Sequence, residues 1–277
     1  MAKQMGIHQI RGKVGERSYY RTKGVEAGIS RSINQGMSAR VKTGEEYANT
    51  RLNNAEFKNA NGIATAAFNS VNSRKRGMMR NFAIAAMTKA ALEDIKQGTG
   101  AWGVRLPLTE LDTLICDLLE NHAKGGVYDG KFGNFDVTPL DAGGACSVDI
   151  LFTDAQVQAL KDLGIDGMYY VPSKCLAGEI IVDGLPRLFA GHGSDAPAII
   201  NVASIDPSDP SGLSVSVSTP SSVGMSESGY AFAQEDTKHG FYLVLSILPF
   251  RGLAGANHIL QEHCTYVAIP LGQIPEE

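Results

Sequence analysis

Apolar positions along the chain change period twice. From Glu45 onward Phe57, Ala64, Phe68 and Val71 recur at offsets of 7, 11 and 14, the helical spacing, and Met79, Phe82, Ala86 and Ala90 form a second stripe flanked by Ile84 and Ile95. Between the stripes, Asn72 to Gly77 is a basic connection or a kink. The Ala-rich stretches 64–67 and 83–91 allow close approach, so two antiparallel helices are expected. A third helix is predicted from near Thr109, whose hydroxyl can cap the first free amides. Its stripe is Leu111, Leu114, Ile115, Leu118, Leu119 and His122, and Gly125-Gly126 ends it.

The period then shortens toward two. Val148 to Phe152 is a predicted strand, and Thr153 with Gln156 forms a capping box opening a short helix that stops at Gly164. Glu179–Val182 and Leu185–Phe189 flank Asp183-Gly184, a two-residue hairpin signal. Further strands are expected over 198–205, 213–219, 230–234, 241–248 and 265–269. In one of them Leu213, Val215 and Val217 alternate with serines. Strands spaced this closely, with turn signals between them, predict an antiparallel β-sandwich or small barrel. Residues 1–43 lack either periodicity, apart from a short strand within 17–24, and read as a basic extended arm. The expected fold class is therefore α+β: arm 1–43, helical region 44–126 and β-rich domain 127–277.

Charge adds a second division. Residues 1–105 contain 18 Lys and Arg against 7 Asp and Glu, whereas residues 106–277 contain 7 against 22. The overall net charge of -4 thus conceals halves of +11 and -15. Such asymmetry predicts an interaction role for the basic part, with nucleic acid, the acidic half of the same molecule or the acidic half of a neighbour as its target. The candidate interaction residues are Arg17, Tyr19, Tyr20, Arg21, Lys23, Arg74, Lys75, Arg76 and Arg80, where cations mix with rings able to stack on bases. The four cysteines are too few for a disulfide scaffold, and the start of the chain lacks a secretory leader's apolar run. A soluble protein made in a reducing cytosol is expected, without membrane contact.

Motifs for chemistry are weak. Gly98 to Gly103 matches the dinucleotide-binding glycine string but follows a helix rather than a strand, so helix termination is the expectation. Cys175, His258, His263 and Cys264 lack the spacing of a zinc site. Gly191 to Asp195 places Ser, His and Asp in a row, where they cannot converge on one substrate atom, and is expected to be a loop. No catalytic, cofactor or metal residue is assigned, and an enzyme is not expected.

The stretch Gly12-Lys13-Val14-Gly15-Glu16-Arg17-Ser18-Tyr19-Tyr20-Arg21-Thr22-Lys23-Gly24, followed by Tyr47 to Phe57 with its Thr50-Arg51-Leu52-Asn53-Asn54-Ala55-Glu56-Phe57 core, resembles proteins of Bacteroidetes and their phages. The resemblance covers about residues 10–60 and is architectural beyond. It implies a virion structural protein of the crAss-like tailed phages, a ring or neck subunit or a head-auxiliary component, and supplies no catalytic residues. The implied partners are further copies in a ring, portal and tail components, and the genome through non-specific DNA contact. The implied location is the virion, after synthesis in the host cytoplasm. A capsid-decorating or packaged protein is the alternative within this class, and a bacterial surface or carbohydrate-binding β-sandwich the alternative outside it.

Overall fold

The computed structural model describes residues 2–4, 12–14, 17–20, 28–32, 37–71, 78–141, 145–182, 185–194, 197–208, 213–218, 239–252 and 258–272. The expected strands at 230–234 and the basic connection 72–77 lie outside them. The fold is α+β and falls into two compact units, Met1–Asn54 and Ala55–Glu277.

In the first unit, the segment read as an arm carries four short strands: β1 (Ala2–Gln4), β2 (Gly12–Val14), β3 (Arg17–Tyr20) and β4 (Gly28–Ser32). They pair antiparallel in the order β1-β4-β3-β2. Helix α1 (Met37–Thr43) follows. The Arg51 guanidinium donates to the carbonyls of Val41 and Gly44 at 3.1 and 2.7 Å, fixing the turn between α1 and the long helix α2 (Ala48–Ser70).

The second unit is layered. Its central six-stranded antiparallel sheet contains β7 (Gly167–Val182), β8 (Leu185–Ser194), β9 (Ala198–Asn201), β11 (His239–Arg251), β12 (His258–Ile259) and β13 (Thr265–Gly272). Alternation along β11 sorts its side chains to two faces. Tyr242, Val244 and Leu248 join Cys175, Ala177, Tyr266 and Ala268 in a core shared with α2, α3 (Ala83–Gln97) and α4 (Leu111–His122). Phe241, Leu243, Leu245 and Ile247 join Met168, Tyr170 and Leu176 in a second core. A three-stranded sheet covers that core, in the order β10 (Leu213–Ser218), β6 (Ala145–Leu151), β5 (Asn134–Val137), together with α5 (Asp154–Asp162). The sandwich is therefore real, with helices on its outer flank.

Local signals fared well where side chains dictate them. Thr153 and Gln156 make the reciprocal capping box of α5. The same helix ends with Ile165 N–H donating to the Leu160 carbonyl and Gly164 N–H to that of Lys161, with Gly164 at φ +65°. Val182 pairs with Leu185, which leaves two residues for the hairpin turn, as Asp183-Gly184 predicts. Leu213, Val215 and Val217 sit opposite Ile150, Val148 and Cys146 in register.

Five expectations require correction. Phe57 and Phe82 are exposed, at 53% and 88%, and Ala86 is exposed too. Ala64, Val71, Met79 and Ile95 are buried as expected; Ala60, Ile63 and Ala67 on α2, and Ala83, Met87 and Ala91 on α3, complete the buried faces. Small residues fill those faces, and Phe68 packs against them only partly buried. Thr109 does not cap α4; its hydroxyl and N–H both donate to Asp94, at 2.9 and 3.2 Å, and Glu110 occupies the cap position. Finally, residues 191–194 are not a loop but the end of β8, where Gly191 and His192 pair with Leu176 and Cys175. A glycine-rich string can still be a strand when a neighbour supplies the ladder.

Candidate functional site

The sequence candidates separate. Arg17 is exposed and Tyr19 half-buried on β3, paired with Ser32 and Ser30; Tyr20 pairs with Ile29. Arg80 lies in the second unit at the C-terminal end of α4, where its N–H donates to the His122 carbonyl at 3.1 Å and its Nε to that of Ala123 at 3.2 Å. A cation placed there satisfies helix-end carbonyls and complements the helix dipole. Arg21, Lys23, Arg74, Lys75 and Arg76 lie outside the described residues.

The Gly98 to Gly103 string does end α3. A side chain at Gly98 would collide with the Leu106 carbonyl, and Gly100 sits at φ +112°. The loop it begins is held by a buried carboxylate. Glu56, 1% exposed, accepts from Arg105 Nε at 2.7 Å, from Arg105 Nη2 at 2.9 Å and from the Gly103 N–H at 2.9 Å. The Arg105 guanidinium holds the Glu56 carboxyl below the usual carboxylate range. This is a structural clamp.

A cleft of about 660 Å³ opens elsewhere, lined by β5, β13, the loop 128–130 and Glu120 of α4. Its loop wall is fixed from several sides. The Tyr128 hydroxyl donates to the Gly133 carbonyl at 2.8 Å and accepts the Phe132 N–H at 2.7 Å. The Gln156 side-chain amide donates to the Gly130 carbonyl at 2.6 Å, and the Tyr170 hydroxyl to that of Phe132 at 2.6 Å. Gly133 needs to be glycine: it sits at φ +102°, and a Cβ would approach Ile150 Cγ2 to 2.8 Å. The Tyr128 and Phe135 rings pack at 5.4 Å.

Apolar lining comes from Phe135, Val137, Val267 and Ile269, each half-buried and continuous with the sandwich core. Two carboxylates accompany them. Asp129 is exposed, whereas Glu120 is half-buried and its pKa is raised, first by burial and then by neighbouring Asp117. The Tyr128 phenol is also pushed up by burial. Such a surface suits an extended, partly apolar and cationic segment. Sequence reasoning missed it because its parts come from positions 120, 128–137 and 267–270, which no local spacing links. Among the described residues no group of three or more His, Cys, Asp or Glu is placed to hold a metal ion. No helix there is long and apolar enough to cross a membrane.

A smaller hollow of about 220 Å³ lies beside Phe68, Met79 and Phe82. Phe82 is exposed and adopts a left-handed backbone at φ +61°, immediately before α3.

The chain matches no family model, no curated protein and no solved structure.

Proposed function

We propose that this chain is a structural subunit of a tailed-phage virion, a ring component between portal and tail, that assembles through contacts between unlike-charged parts of neighbouring copies. The observation that carries the reading is the way charge follows the division into units. Residues 1–54 hold ten Lys and Arg against four Asp and Glu, net +6; residues 55–277 hold 15 against 25, net -10. A molecule polarised in this way makes head-to-tail contacts that close into a ring when the rotation fits, and opposite potentials set register and speed encounter. The resemblance of residues 10–60 to phage proteins supplies the setting. Portal and tail proteins are the neighbours it implies, with the passing genome as a further, non-specific contact.

Two measurements test this. Mass spectrometry of purified particles from the phage that encodes the chain should find it in many copies per particle. Sedimentation of the purified protein should show an oligomer that dissociates between about 0.1 and about 1 M salt, as the screening length falls from about 10 to about 3 Å. A salt-insensitive monomer missing from particles would overturn the proposal.

A further inference from the structure

The large and small sheets both end at the cleft. β13 pairs with β11 and, among the described residues, with nothing on its other side; β5 is likewise the terminal strand of its sheet. Natural sheets protect such edges with charges, bulges or proline, because an unpaired strand invites another. From Thr265 to Ile269 the edge strand reads Thr-Tyr-Val-Ala-Ile, with no charge and no proline, and protection begins only at Pro270. The side chains beside this run, Val267, Ile269, Phe135 and Val137, are half-exposed apolar surface that an added strand would cover.

Charge identifies the occupant. Asp129 and Glu120 put two carboxylates on the cleft, and no Lys or Arg lines it among the described residues. The segment of this chain with the opposite character is its beginning: residues 2–23 contain six Lys and Arg and one Glu. Its strands β1 and β2 are terminal in their own sheet, so each has a side free to pair among the described residues.

We infer that the N-terminal segment of a second copy lays an edge strand against Thr265–Ile269, with its cations over Glu120 and Asp129. Main-chain hydrogen bonds supply affinity, and the apolar walls and carboxylates supply direction. This inference rests on the self-assembly proposed above and names the surface through which it occurs.

The test uses two full-length variants, E120K/D129K and K13E/R17E, whose far-ultraviolet spectra and melting curves establish that each folds. At low salt each variant alone should self-associate at least about tenfold more weakly than the parent, while an equal mixture recovers association because the reversed charges again meet. Hydrogen exchange should show amides of residues 265–269 gaining protection when the parent protein associates. If the parent assembles but both variants assemble equally well, or protection falls elsewhere, this interface is wrong and charge-driven assembly stands. A parent that never associates overturns both.

Discussion

Arg105 lies across both oxygens of Glu56, 49 positions earlier in the chain, at 2.7 and 2.9 Å. The pair is lopsided, since the Glu56 side chain is 1% exposed and that of Arg105 22%. Removing either partner strands the other, but only Arg105 can reach water. Arg105→Met should therefore cost about 3–5 kcal/mol, as expected when a buried charge loses its partner, and Glu56→Gln about 2 kcal/mol. Urea unfolding of both variants checks the order; equal losses would mean that solvent reaches the carboxylate once Arg105 is removed.

The same pair sets a pH dependence. Arg105 lowers the folded-state pKa of Glu56 below its unfolded value. Its contribution is then complete above the ordinary glutamate pKa of about 4.3 and drains away as pH falls through the lower folded value. The stability gap between the parent protein and Glu56→Gln should narrow as pH falls from about 5 to about 3, measured by unfolding at each pH.

Glu120 runs the other way. Burial and Asp117 raise its pKa, so its ionised form opposes folding near neutral pH and the penalty is relieved as pH falls. Glu120→Gln should raise the melting temperature of the unassembled protein at pH 7, with the gain vanishing in acid. High salt keeps the protein unassembled for this measurement. A carboxylate retained at a cost to stability is the pattern expected of a residue kept for contact with something else.

Phe82 carries strain without burial to offset it. A non-glycine residue at φ +61° costs about 1 kcal/mol or more, and the side chain is 88% exposed. Phe82→Gly should stabilise the isolated protein by about 0.5–1 kcal/mol in thermal unfolding. A loss of stability would show that the ring contributes more to the hollow beside Phe68 than its exposure indicates.

Tyr242 is the opposite case. Its hydroxyl is fully enclosed near Ser70 and Cys175 and, among the described residues, makes no well-formed hydrogen bond. Both neighbours direct their protons elsewhere, Ser70 to the Ala67 carbonyl and Cys175 to that of Ser173. An unpaired buried hydroxyl costs about 1–3 kcal/mol, so Tyr242→Phe should be neutral or stabilising by up to about 1 kcal/mol. A clear destabilisation in urea would reveal a partner for that oxygen.

These residues mark where sequence reading succeeds and where it stops. Thr153 with Gln156, the Gly164 stop and the hairpin around 183–184 were legible because each is decided by neighbours within a few positions. The helix stripes held at Ala64, Val71 and Met79 and missed by one residue at Phe57, where Glu56 is buried, and at Phe82, where Ala83 is buried. Size made phenylalanine look like core, whereas small residues line the buried faces and a long-range salt bridge offsets the burial of a glutamate. The cleft was illegible for the same reason: only tertiary structure brings Glu120, Phe135 and Val267 together. Charge asymmetry could be read from composition, but the edge it pairs with could not.

β11 is buried along its whole length from Phe241 to Phe250 and lends one face to each core. A ribosome reaches it more than a hundred residues after finishing α4. Until then the helical layer and the small sheet have only the side chains of β7 to close upon, so both cores stay incomplete until the last fifth of the chain emerges. Truncation ahead of residue 239 should therefore leave both cores open and the product prone to aggregate.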